Sequence, residues 1–164
     1  MTLKYGLESN KGGNCDSLVS NWDFHSELQI GTLTWGPGNG LVMGNNVADD
    51  NGWATKISIP SPSGKELTDL YYVFTVSTGT GGAKLKVWQA DGTGGTPGTV
   101  VNSLPVTTGS FSANLLQLIG GPIPKPIALN GDFFVGYDHD VKPIDGDTLA
   151  MGLVAGTAGN QVWA

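Results

Sequence analysis

Apolar and polar residues alternate with a period of two along most of the chain. From Leu70 to Ser77, the residues Leu70, Tyr72, Phe74 and Val76 share one face; Tyr71, Val73, Thr75 and Ser77 share the other. That is the pattern of a strand with one side buried. KLKVWQA sets Leu85 and Val87 opposite Lys84, Lys86 and Trp88. GDFFVGYDHD groups Phe133, Val135 and Tyr137, and GDTLAMGLVAG groups Leu149, Met151 and Leu153. WATKISI, NLLQLIG, TVVNSLPV and KPIAL are further predicted strands. Turn signals separate them at short spacing: PSPSGK, STGTGG, DGTGGTPG, TTGS, GGPIPKP, NGD and DGDT. No ten-residue window reads as a helix. Many short strands joined by Gly/Pro turns predict an all-β fold, an antiparallel β-sandwich of jelly-roll-like form. One domain spans 1–164, with residues 1–40 reading as an edge strand or a long loop.

Composition narrows the partners. The chain has 164 residues and a net charge of −6, and only 13% of its residues are charged. All eight basic residues are lysine. Nucleic acid is therefore not expected, because neutralising phosphates needs a basic face. Guanidinium recognition of carboxylate or phosphate is excluded outright. An acidic, Gly/Thr/Ser/Asn-rich chain suits an extracellular or cell-surface setting. No stretch approaches the roughly 20 apolar residues of a membrane helix. The first fifteen residues lack the apolar core of a signal peptide, as a mature chain would. GNQVWA stops where a strand begins, which reads as a piece of a longer protein whose last strand is missing or supplied by a partner. Cys15 is the single cysteine, so no intrachain disulfide forms.

The loop ADGTGGTPGTVV has neither the G-x-G-x-x-G nor the P-loop spacing, and a β-branched strand follows it where a phosphate cradle needs a helix. It is a corner between two strands. Around it, LKVWQADGTGGTPGTVVNSLPV resembles a recurring element of secreted modular proteins of Bacteroidetes-type bacteria. GLVMGNN…WATKI, TDLYYVFTVSTG, PIALNGDFFVGYDHD and GDTLAMGLVAGTAGNQVWA are similar, in order, to the segments around that element. The resemblance covers residues 40–164 and leaves the first forty outside. It implies a non-catalytic, jelly-roll-like accessory module of an exported protein, with no activity to transfer residue by residue.

Catalysis has little to stand on. There is no G-x-S-x-G elbow, and only His25 and His139 are available as bases. Glutamate is limited to Glu8, Glu27 and Glu66, and the aspartates lie in loops. A glycan hydrolase with loop carboxylates remains an alternative without a motif. Metal binding has more material. YDHDVKPIDGDT carries Asp138, Asp140, Asp145 and Asp147, and NNVADDNG carries Asp49 and Asp50. Calcium takes several oxygen ligands from such loops, so a structural Ca²⁺ is a candidate; aspartate as a solvated turn former is the competing reading. Sugars stack on exposed rings and give their hydroxyls to amides and carboxylates. Trp35 and Trp53, with Asn51 two residues before Trp53, are the candidate sugar contacts, against the reading that these rings close the core. The expectation is a binding or interaction module without enzymatic activity, its partner a polysaccharide or another protein. The alternatives are a spacer or surface-assembly domain completed by strand addition, and the hydrolase.

Overall fold

The structure is a computed structural model, which describes residues 30–31, 37, 40–41, 44, 52–58, 66–139, 147–154 and 162–163. Eleven strands lie within them. They are β1 (Ile30–Gly31), β2 (Gly52–Ile57), β3 (Glu66–Tyr72), β4 (Phe74–Thr78), β5 (Gly82–Gln89), β6 (Val100–Thr107), β7 (Ile119–Ala128), β8 (Phe133–His139), β9 (Thr148–Met151), β10 (Leu153–Val154) and β11 (Val162–Trp163). One short 3₁₀ turn, Ser112–Asn114, is the only helical element among the described residues. No helix there is long and apolar enough to cross a membrane.

Every pairing is antiparallel. Five strands form one sheet in the order β11-β2-β8-β5-β6; β3 pairs with β7, β4 with β9 and β1 with β10. The fold is therefore all-β, and it fits a β-sandwich. Register explains the core. Trp53 lies opposite Tyr137, which lies opposite Leu85 on the next strand. These side chains meet Tyr72, Phe74 and Leu149 from β3, β4 and β9 in one buried cluster. The Phe74 ring stacks on Phe111 at 4.5 Å and meets the edge of Tyr137 at 6.3 Å. The Tyr137 hydroxyl donates to the carbonyl of Leu149 at 2.6 Å, which satisfies a polar group inside the apolar interior.

The alternation on β5 holds as expected: Ala83, Leu85 and Val87 are buried, while Lys84, Lys86 and Trp88 are only half-buried. Expectations on the β3–β4 pattern, on NLLQLIG and on GGPIPKP need correction; the last is not a turn but lies within β7. A bulge lies between Phe74 and Val76, so Val76 pairs with Ala150 and Ser77 with Leu149. One extra residue moves every later side chain to the other face. Ser77, not Val76, takes the fully buried position. Its hydroxyl donates to the Thr108 carbonyl at 2.6 Å and accepts the Phe111 N–H at 3.0 Å. The second correction concerns NLLQLIG. It is not one strand: Leu116 adopts φ 60° and donates its N–H to the Phe74 carbonyl, so the chain turns there and β7 begins at Ile119.

Candidate functional site

The predicted sites fall in different places. Trp53 is on β2 and is 6% exposed. Its indole N–H donates to the Gly44 carbonyl at 3.3 Å. The ring belongs to the larger core cluster, so it packs the core and offers no exposed face for a sugar to stack on. Trp35, Asn51, Asp49, Asp50, Asp140 and Asp145 lie outside the described residues. Asp138 sits on β8 and is ion-paired with Lys86. Asp147 is buried and accepts the Thr80 N–H at 2.7 Å, fixing the turn between β4 and β5. Among the described residues no three His, Cys, Asp or Glu side chains gather around a common point.

His139 lies near these two carboxylates, buried and edge-on to Tyr137 at 5.5 Å. Its Nε2 has no hydrogen-bond partner among the described residues. Burial pushes its pKa below the ordinary 6.5, and the charges of Asp138 and Asp147 only partly oppose this. The folded state thus favours the neutral ring. As pH falls below 6.5 the unfolded chain binds a proton that the folded chain resists, so this contribution to stability is present above 6.5 and is lost on acidification. Urea unfolding at pH 7.5 and pH 5.0 should show lower stability at pH 5.0. A His139→Gln variant should show a smaller difference between the two pH values. Equal pH dependence in both proteins would remove His139 as the cause.

At the opposite end of β5 and β8 the registers build a pocket. Gln89 pairs with Phe133, and Phe133 pairs with Ile57, so Lys56, Gln89 and the start of β8 share one end of the sheet. The end of β7 and the turn 129–132 close one side; Ala90, Asp91 and Val101 close the other. The cavity holds about 340 Å³. Its floor is the smaller core cluster, in which Val87 and Phe133 are buried beneath Val101, Ile127 and Leu129. Its rim is polar. Lys56 Nζ lies 3.0 Å from Asp132 Oδ2, and both side chains keep partial access to solvent. Gln89, Asp91 and Asn130 complete the rim.

The glycine loop forms one wall of this pocket and is held firmly. The Gln89 N–H donates to Thr99 and the Gly98 N–H to Gln89, continuing the hairpin past the strand ends. Gly94 and Gly95 have φ of 72° and 78°, a region that glycine enters without steric cost. Asp91 accepts the Thr99 N–H at 2.6 Å and the Thr99 hydroxyl at 2.7 Å. The backbone bond, then the hydroxyl, hold its carboxyl below the ordinary carboxylate range. Asp91 is thus a fixed negative charge at the pocket mouth. A general acid needs a shift in the opposite direction.

Sequence reasoning missed the pocket. Its residues come from four separated stretches, and only the strand registers join them. The signals that point to it are the NGD turn directly before β8 and Asp91 at the head of the glycine loop.

Compared with known proteins, the chain matches no family model, no curated protein and no solved structure.

Proposed function

We propose that the chain is a non-catalytic binding or interaction module whose ligand enters the pocket between the β5–β6 loop and the turn 129–132. The observation that carries this reading is the pocket itself: an apolar floor with a few convergent polar groups, at the lower end of the size range of small-molecule sites. That size suits one sugar unit or one amino-acid side chain with its backbone. The resemblance to accessory modules of exported proteins points the same way and supports an extracellular or cell-surface setting. The lowered pKa of Asp91 makes it unsuited to the general-acid role that the hydrolase alternative would need at this site.

Two of the described strand edges, β6 and β7, weigh against assembly by strand addition. β6 is the last strand of the five-stranded sheet, and Pro105 removes a donor within it. The Thr107 N–H is already taken by the Ser110 hydroxyl at 2.9 Å. In β7, Pro122, Pro124 and Pro126 occupy every second position. Alternate residues present their N–H groups to one side, and proline is tolerated in a sheet where that side faces away from the partner strand. β6 and β7 are therefore poor templates for an incoming strand.

The test is thermal unfolding of the wild type and of an Ala128→Trp variant, which places a large ring at a residue lining the pocket, against polysaccharides, peptides and small amines. A ligand that binds only the folded state raises Tm by mass action. A shift in the wild type that the variant lacks is the expected result. A ligand that shifts both proteins equally would place the binding site elsewhere.

A further inference from the structure

The pocket also constrains the chemistry of what it holds, and this inference rests on the binding-module reading above. Its floor is aliphatic. Val101, Ile127 and Leu129 are half-buried over it, and its single aromatic ring, Phe133, is only 5% exposed. A sugar ring gains its apolar contact by stacking on a flat exposed aromatic face, and among the described residues none lines this pocket. An alkyl chain needs no such face and gains by covering aliphatic surface.

The rim has an excess of negative charge. Two carboxylates, Asp91 and Asp132, stand against one ammonium, Lys56, among the lining residues. Lys56 is held by Asp132, and among the described residues no ammonium is paired with Asp91. The Thr99 N–H and hydroxyl each take one of its oxygens, and a carboxylate has about four acceptor positions, so room for a donor remains. The chain as a whole carries −6 and has no arginine. Its long-range field draws cations and repels anions.

We propose that the pocket binds an aliphatic chain ending in a primary ammonium group. The alkyl stem lies on Val101, Ile127 and Leu129, and the ammonium reaches the Asp91 carboxylate. Lysine side chains divide in the same way, with an apolar stem and a charged tip. The same chemistry is offered by a lysine on a partner polypeptide and by a free alkylamine.

The experiment is an NMR titration of the pocket methyl groups with n-pentylamine, n-pentanol, pentanoate, a methyl glucoside, Nα-acetyl-lysine methylamide and its Nε-acetylated form. Pentylamine should bind about twofold to fivefold more tightly than pentanol, the scale of a solvent-exposed charge pair, and pentanoate should bind most weakly. Added salt should weaken the amine and leave the alcohol unchanged. Asp91→Asn should weaken the amine by about the same twofold to fivefold. Lys56→Gln removes the positive charge that lines the pocket and should strengthen the amine by a similar factor. That second variant keeps the test sharp if Asp91→Asn loosens the glycine loop. Binding of the lysine amide, lost on Nε-acetylation, supports a polypeptide partner; binding of pentylamine alone supports a small amine. Equal binding of pentanol and pentylamine, or tighter binding of pentanoate or the glucoside, overturns the ammonium assignment and leaves the pocket as a binding site. Failure of every probe, with no effect of Ala128→Trp on any ligand of the module, overturns both.

Discussion

Replacing Phe74 with alanine should lower the stability of the protein by about 3–5 kcal/mol, the range for truncating a buried phenylalanine. Phe74 is fully buried at the centre of the larger core cluster. Its ring lies between Phe111, stacked at 4.5 Å, Tyr72 at 6.0 Å and Tyr137 at 6.3 Å. These partners sit on different strands and on the segment after β6, so they have little freedom to close over the hole together. Close packing makes that failure costly, because each facing group loses its contacts. For a chain of this length the loss corresponds to a fall in Tm of roughly 6–20 °C. Leu104 provides the contrast: it lies on β6 with half of its surface in solvent, and Leu104→Ala should cost less than about 1 kcal/mol. Urea unfolding of both variants checks the pair. Similar losses in the two would mean that Phe74 is not at the centre of the core.

Gly136→Ala should be the other severe change, despite adding a single methyl group. Gly136 lies opposite Ala54 across the β2–β8 pairing. A Cβ at this position would sit 1.8 Å from the Trp53 carbonyl oxygen and 2.7 Å from Ala54 Cα. Both are backbone atoms of the neighbouring strand, so no rotamer change relieves the contact. The strands must separate, and the Trp53–Tyr137 and Ala54–Gly136 pairs are disturbed with them. Ordinary overpacking costs about 1–3 kcal/mol, and this substitution should exceed that range because the obstacle is main chain. Hydrogen exchange should show lost protection on β2 and β8, with β3 and β7 less affected. A variant with unchanged stability and unchanged exchange on β2 would contradict the register.

Much of this architecture is legible in the residues. The β5 strand alternates as its sequence does, and the glycine loop is the strand-to-strand corner that its spacing implies. What failed to show has specific causes. The bulge before Val76 leaves no mark on the apolar pattern, yet it brings Ser77 into the core. The two hydrogen bonds of its hydroxyl are what make that position tolerable. Trp53 opens the WATKISI strand directly after Asn51 and Gly52, so its ring reads as exposed at a strand end, but its pairing with Tyr137 makes it core. The pocket is the least legible feature. Lys56 and Asp132 are far apart in sequence, and neither carries a motif; the β2–β8 and β5–β8 registers bring them to the same end of the sheet. Charge pairs made by register in this way have no local signature.

The central claim is that partners meet this protein at the pocket beside the glycine loop. The most direct test is a backbone-amide NMR titration with whichever ligand raises the Tm of the wild type. The account predicts that shifts concentrate at residues 89–91, at Val101 and across 127–133, and that they vanish in Ala128→Trp. Shifts centred instead on the far end of the sheet, around Ala83 and His139, with the pocket amides unmoved, would contradict it.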